Sequence, residues 1–323
     1  MDKILTLTVN PAVDLTMTVD QVLPEHKLRA HDLQQDPGGG GLNVARVVRE
    51  LGGRATAAWA RGGTTGLLLE ALLDREEIDH VPLPIAEPVR HDITVVEAST
   101  NAQYRFVLEG PRVAEAEAEA IARFTSAYEP APRYLVLSGS LPPGVRDDYY
   151  AQLAAGVRSG TRVVVDTSGP ALAASRGQAV FLLKPNLREL SSLVRRDLET
   201  DAEILDAARA LLEEMPAEVV LVSMGSRGAL VVTRDAHELI VAPPVKPVSR
   251  VGAGDSTVGG IVTALARGDD LFDAARYGVA AGSAAVMAPG TQLCKREDVE
   301  RLYRAIAGNR VSVSGVQPVP RVS

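Results

Sequence analysis

"RYLVLSGS", residues 133–140, decides the fold. Four apolar residues, Tyr134 to Leu137, run without interruption and are closed by Ser-Gly-Ser. No polar residue alternates with them, so a strand built this way is buried on both faces, as in a parallel sheet covered by helices. The same design recurs in "KILTLTVN" (3–10), "TRVVVDTSG" (161–169), "AVFLLKPN" (179–186) and "EVVLVSMG" (218–225). Between these runs lie helical patterns: "GLNVARVVRELGG" (41–53), "GLLLEALLDREEI" (66–78), "AEAEAEAIARFTSAY" (114–128) and "DAEILDAARALLEEM" (201–215). Strand and helix alternate, which predicts an α/β protein with a doubly wound, mostly parallel sheet. Ligands of such sheets gather beyond the carboxyl ends of the strands, so the polar residues closing each run become the candidates.

Two stretches break the alternation. Residues 14–36, "DLTMTVDQVLPEHKLRAHDLQQD", carry period-2 pieces and no helical pattern. Residues 90–110, "RHDITVVEASTNAQYRFVLEG", read as a hairpin with Ser-Thr-Asn in the turn. Together they predict a small β-lid inserted into one large domain spanning 1–310. "VVTRDAHELIVAPP" (231–244) reads as another hairpin at the sheet edge, and the tail 311–323 as a loose end.

Composition narrows the classes. Of 323 residues, 46% are hydrophobic and 23% charged, enough for a packed core. The net charge of −7 gives no electrostatic footprint for nucleic acid. One cysteine, Cys294, excludes a disulfide framework and points to a reducing, cytoplasmic setting. The first residues turn polar too early for a secretory signal, and no apolar run reaches the ~18 residues of a membrane span.

The motifs follow. "GGGGLNVARVVRELGG" (38–53) fails the dinucleotide fingerprint, because no glycine stands at the third position. The Walker pattern fails as well, since Gly-Lys occurs nowhere in the chain. Four glycines followed by Asn43 still let a ligand approach the backbone near a helix start. A flexible loop with an Asn cap explains the same residues. In "LLKPNLREL" (182–190), Asn186 and Glu189 could hold the water shell of Mg²⁺, with Lys184 facing phosphate. A capping box accounts for Asn186 and Glu189 equally well. "LVSMGSRGAL" (221–230) closes a strand with Ser223 and a glycine turn, either a phosphate cradle or a plain β-turn. In "SRVGAGDSTVGG" (249–260), Gly252, Ala253 and Gly254 would bare N–H groups at a helix N-terminus, a collector of negative charge. Asp255 there could merely offset the helix dipole. It could also take a proton from an attacking hydroxyl while those N–H groups stabilise a transferring phosphoryl group.

On these residues the sequence resembles the ribokinase-like (pfkB-type) carbohydrate kinases. "GGGGLNVARVVRELGG" is similar to that family's first signature and "VGAGDSTVGG" to its second, with "KPNLRE" and "SMGSRG" at matching intervals between them. "PGGGGLNVAR", "QYRFV", "SGSLPPGV", "VAAGSAA" and Gly290–Cys294 favour the phosphofructokinase branch, close to the 1-phosphofructokinases and tagatose-6-phosphate kinases. The resemblance implies ATP-dependent phosphorylation of fructose 6-phosphate at its 1-hydroxyl, with Mg²⁺. It implies Asp255 as base and Gly252, Ala253 and Gly254 as anion hole. Asp14, Gly39, Asn43 and Ser138 would hold the sugar, with Arg90 and Arg105 at its phosphate. Lys184, Asn186, Glu189, Ser223, Gly225, Ser226, Gly228 and Ser283 would serve MgATP. Ser249, Val251, Ala285 and Gly290 would offer oxygens to potassium, although Arg250 and Gln292 depart from the family pattern beside them. Lys27 matches a position tied to allosteric ATP. A homodimer through the β-lid is the expected assembly, and Glu97 and Glu109 are alternative partners for the two arginines. A non-catalytic sugar-phosphate sensor is the competing class; intact Asp255 and Glu189 argue against it.

Overall fold

Side chains of the run 134–137 point alternately to opposite faces of a sheet in the computed structural model, which describes residues 3–308. Leu135 and Leu137 enter one core, Tyr134 and Val136 the other. Val163 and Val165 follow the first pair, and Val164 the second. Burial on both sides thus converts an unbroken apolar run into a central strand.

The large sheet contains β1 (Ile4–Thr8), β4 (Ala55–Arg61), β5 (His80–Pro84), β8 (Tyr134–Ser138), β9 (Arg162–Asp166), β10 (Val180–Leu183), β11 (Ala217–Ser223), β12 (Ala229–Val232) and β13 (His237–Ile240). Their order is β13-β12-β11-β10-β9-β8-β1-β4-β5. All neighbours are parallel except the edge hairpin, where β12 runs antiparallel to β11 and to β13. The helices are α1 (Gly40–Glu50), α2 (Gly63–Arg75), α3 (Glu115–Ala127), α4 (Tyr149–Gly156), α5 (Gly169–Ala174), α6 (Leu187–Val194), α7 (Asp201–Glu214), α8 (Ala253–Arg267), α9 (Leu271–Ala285) and α10 (Arg296–Gly308). Helices α1, α8 and α9 bury one face of the sheet. Helices α3, α4, α6 and α7 bury the other.

Strand order reverses between β1 and β8, because the chain winds outward from β1 first through β4 and β5, then through β8 to β11. In open α/β sheets the crevice at such a switch point receives ligand. The glycine segment before α1 lies over it. A Cβ on Gly40 would stand 2.4 Å from Ser138 Oγ and 2.7 Å from Gly139 N, so no side chain fits there.

The two stretches that broke the alternation form a second sheet of β2 (Ala12–Val19), β3 (His31–Gly38), β6 (Arg90–Glu97) and β7 (Ala102–Val107). Its order is β3-β2-β6-β7, with β2 and β6 parallel and the outer pairs antiparallel. The polar run "DLQQD" belongs to β3, whose first four residues are exposed, so polarity there reflects an edge and not a loop. The tail 311–323 lies outside the described residues.

Candidate active site

Helix α8 opens on Gly252, whose left-handed backbone (φ 71) turns the chain so that Ala253, Gly254 and Asp255 form the first helical turn. The acid therefore does face a helix N-terminus. Its carboxylate is also bound from across the cleft: Asn43 on α1 donates from Nδ2 to Asp255 Oδ2 at 2.9 Å. Burial, and then the charge of Asp166, push the Asp255 carboxyl up to about 6, against Asn43, Lys184 and Arg46, which pull it down. A carboxyl held in that range can accept a proton near neutral pH, which a surface aspartate does poorly.

Lys184 leaves the end of β10 and binds Asp166, at the end of β9, at 2.9 Å. Burial alone would lower the Lys184 ammonium, but Asp166, Asp255 and Glu189 hold it above its ordinary value, so it stays charged. Gly254 lies beside it, and a Cβ there would make only ordinary contact, 3.5 Å from Lys184 Nζ. Asn186 and Glu189 do form the capping box of α6: Asn186 N donates to Glu189 Oε2 at 2.7 Å, and Glu189 N to Asn186 Oδ1 at 2.9 Å. The cap occupies Oε2 of Glu189. Burial pushes its carboxyl above the usual range despite the bond from Asn186. Ser223 N donates to Pro185 O at 3.0 Å, which sets the β11 end and the turn Gly225–Arg227 beside this segment. Gly225 and Ser226 are exposed in that turn and Gly228 closes it, its N–H bonded to Gly225 O at 3.0 Å.

The second sheet supplies the opposite wall. Asp14 is pushed up to about 7 by burial and by Asp92, against Arg46, Arg105 and Arg90. Arg90 is 12% exposed; Nη1 donates to Leu108 O at 2.8 Å, and Nη2 lies 3.3 Å from Asp92 Oδ2. Arg105 is exposed on β7, in register with Thr94. Glu97 is not an arginine partner: it accepts from Val22 N, Thr100 Oγ1 and the Tyr104 hydroxyl, tying the β2–β3 loop to the β6–β7 turn. Ser138 Oγ and Thr8 Oγ1 are buried without a hydrogen-bond partner at the floor of the crevice. Gly39, the residue before α1, adopts φ 114 and accepts Asn43 N at 2.9 Å.

Ser249 and Gly290 meet directly, Ser249 Oγ donating to Gly290 O at 2.8 Å, and Val251 N donates to Ser249 Oγ at 3.2 Å. Val248 N and Ser249 N both bond to Val286 O, so the segment before α8 runs beside the segment after α9 where Ala285 ends. Ser283 is buried on α9. Lys27 is exposed in the β2–β3 loop, and no hydrogen bond or ion pair of the described residues joins it to the cleft. Among the groups that composition and spacing did not single out are Asp166, Arg46, Asp92 and Asp36. Asp36 Oδ2 accepts from Thr291 Oγ1 at 2.7 Å, joining β3 to the loop that carries Gly290.

A buried aspartate at a helix N-terminus, a buried lysine and an arginine-edged crevice at the strand ends suit a phosphotransferase acting on a hydroxyl group. The chain belongs to the pfkB family of carbohydrate kinases, whose model matches residues 7–298. It is 46% identical over 306 residues to the ATP-dependent 6-phosphofructokinase isozyme 2 of Mycobacterium tuberculosis, covering 94% of this chain and 90% of that one. Its identity to the isozyme 2 of Escherichia coli is 40% over 305 residues, covering 94% and 98%. Crystal structures of the Escherichia coli phosphofructokinase-2 superpose with TM-scores of 0.89 for the complex with fructose-6-phosphate and 0.90 for that with potassium. Each covers 95% of this chain and 100% of that one, at 38% and 39% identity. A 1-phosphofructokinase of Xanthomonas campestris is 36% identical over 268 residues, covering 81% and 83%.

Proposed function

We propose that this protein is a 6-phosphofructokinase: it transfers the γ-phosphoryl group of ATP to the 1-hydroxyl of fructose 6-phosphate. The hydroxyl oxygen forms the new bond to phosphorus, the bond from phosphorus to the β–γ bridging oxygen breaks, ADP leaves, and the hydroxyl proton passes to Asp255. The observation that carries this reading is Asp255 itself, ionisable near neutrality and held by Asn43 in the first turn of α8. The Ala253 and Gly254 N–H groups at the same helix end supply positive potential for the transferring group.

Lys184, its ammonium favoured by Asp166, Asp255 and Glu189, suits the nucleotide's phosphates, beside the turn of Ser223, Gly225, Ser226 and Gly228, with Ser283 also on the nucleotide side. The donor set fits magnesium held through water: Asn186 and Glu189 are hard oxygen donors, and the cap engages only one carboxylate oxygen of Glu189. The ion would neutralise charge on the phosphates. The adjoining segments of Ser249, Val251, Ala285 and Gly290 fit a monovalent cation through carbonyl and hydroxyl oxygens, consistent with the potassium complex of the Escherichia coli protein. On the sugar side, Asp14, Asn43, Gly39 and Ser138 bind hydroxyls, and Arg90 and Arg105 take the 6-phosphate. No described helix is long and apolar enough to cross a membrane. A reducing cytoplasm suits the single buried Cys294.

A coupled ADP-release assay with fructose 6-phosphate, fructose 1-phosphate and tagatose 6-phosphate tests the acceptor. Preference for fructose 6-phosphate supports the proposal. Preference for either of the others moves the chain to a neighbouring branch, and no turnover with any acceptor leaves a sugar-phosphate sensor.

A further inference from the structure

Arg46 lies one turn along α1 from Asn43 and is only 10% exposed. Nε and Nη2 donate to the two oxygens of Glu76, just past the end of α2, at 2.7 and 2.8 Å. Its remaining fork does not turn to solvent. Nη1 donates to Pro37 O at 2.9 Å and to Asn43 Oδ1 at 3.2 Å. A pair with Glu76 alone would knit α1 to α2 and need nothing more. The extra bonds reach the glycine segment over the crevice and the amide that holds Asp255.

The chemistry at each end of that amide leaves no choice of orientation. A guanidinium has only donors, so it must face the amide oxygen. An ionised carboxylate has only acceptors, so it must face the amide NH₂. Without Arg46, only the ionised Asp255 would select that orientation, and once protonated its carboxyl could draw the amide oxygen toward its own O–H and hold the proton. We propose that Arg46 is the positioning residue of the catalytic base: held by Glu76, it locks the Asn43 amide with its NH₂ toward Asp255 and, through Pro37, fixes the glycine segment over the sugar in the same grip. This rests on Asp255 being the base.

Four groups face Asp255. Asp166 raises its proton affinity; Asn43, Lys184 and Arg46 lower it. Removing the Arg46 charge must therefore move the acid limb of the kcat profile toward higher pH, whereas a role confined to helix packing would lower stability and leave that limb in place.

The experiment measures kcat from pH 5 to 9 for Arg46→Met, Arg46→Lys and Glu76→Gln, with Asp255→Asn as control and melting temperature recorded for each. Arg46→Met is expected to raise the midpoint of the acid limb by about half to one pH unit. It is also expected to lower kcat at pH 8.5 by about ten- to a hundredfold, the loss of a charged hydrogen bond. Arg46→Lys keeps the charge and loses the fork, so kcat falls while the limb stays within about 0.3 pH unit of the parent. Glu76→Gln, which keeps Arg46 but loosens it, lowers kcat about three- to tenfold with an unchanged KM for ATP. Should Arg46→Met fail to fold, the lysine and Glu76 variants decide the matter by these same criteria. An unmoved limb in Arg46→Met, or folded lysine and Glu76 variants with the parent's kcat, overturns the proposal. If instead Asp255→Asn keeps kcat within a few-fold of the parent, the base assignment itself fails, and that outcome is distinct.

Discussion

Asp14 and Asp92 stand opposite each other in register on the parallel pair β2–β6, both turned into the crevice electrostatics that Arg46, Arg90 and Arg105 offset. Asp36 faces Asp14 from the other side, on β3. Three carboxylates abreast would be costly in a closed core. Here burial and the neighbouring Asp92 push Asp14 up to about 7, far above the 3.8 of a free side chain. The folded protein thus binds more protons than the unfolded chain between roughly pH 4 and pH 7. The stability tied to Asp14 is present in full below pH 4 and lost as pH rises through 7. Asp14→Asn is therefore expected to melt higher than the parent at pH 8, by roughly 1–3 kcal/mol of stability, with the gain fading toward pH 4. A variant that melts lower at pH 8 would show that ionised Asp14 is a net stabiliser held by the three arginines.

Asp255→Asn keeps the hydrogen bond to Asn43, because the new amide can present its oxygen to Nδ2. Fold and nucleotide binding should survive. The amide cannot accept the substrate proton, so kcat is expected to fall about 10²–10⁴-fold, and the acid limb near pH 6 should vanish from what activity remains. Steady-state rates with ATP affinity measured separately check this. Parent-like turnover would reduce Asp255 to a partner of the helix dipole.

The sheet was legible because burial on both faces leaves no alternative to an unbroken apolar strand, as Tyr134–Leu137 shows. The second sheet was legible as a failure of alternation. Asp255 and Asn43 announced themselves through glycines, which mark close backbone approach. Arg46 did not, since an arginine in "NVARVVRE" reads as the solvated face of an amphipathic helix; only the placement of α2 covers it. Asp166 closes a strand in "VVVDTSG" like any polar terminator, and its pairing with Lys184 depends on β9 and β10 being neighbours. Asp92 hides in the period-2 pattern of β6. The sequence of a strand reveals which residues share a face and says nothing of which strand lies beside it.

The outer strands of the second sheet carry Leu33 and Phe106 at 60% and 56% exposure, with Tyr104 on the same face as Phe106, whereas Val107 turns to the other face in register with Asp92. A four-stranded layer has little core of its own, and the large sheet can cover one side only. A homodimer through this surface is the expected state, read by light scattering as twice 34.2 kDa at micromolar concentration. Phe106→Asp should shift the mass toward monomer and leave the melting of the α/β domain nearly unchanged. A parent that is monomeric and fully active would sink the dimer.

The role proposed for Arg90 would let a chain of net charge −7 grip a phosphorylated sugar. Long-range attraction cannot recruit the anion, so groups at contact distance must do so. Arg90 is pre-set for that: Leu108 O fixes Nη1, Asp92 flanks Nη2, and Nε is buried without a partner. A guanidinium already ordered loses little rotamer freedom on binding, and its planar fork can give phosphate two hydrogen bonds. Arg90→Ala is expected to raise KM for fructose 6-phosphate about ten- to a hundredfold and to leave KM for ATP within about twofold, the loss of one charged contact. Unphosphorylated fructose, which lacks the phosphate, should be affected little. Asp92→Asn keeps the arginine but removes the charge beside it, so KM for fructose 6-phosphate should change by less than about fivefold. Equal losses for fructose and its 6-phosphate in Arg90→Ala would mean that Arg90 braces β6 against Leu108 and takes no part in reading the phosphate.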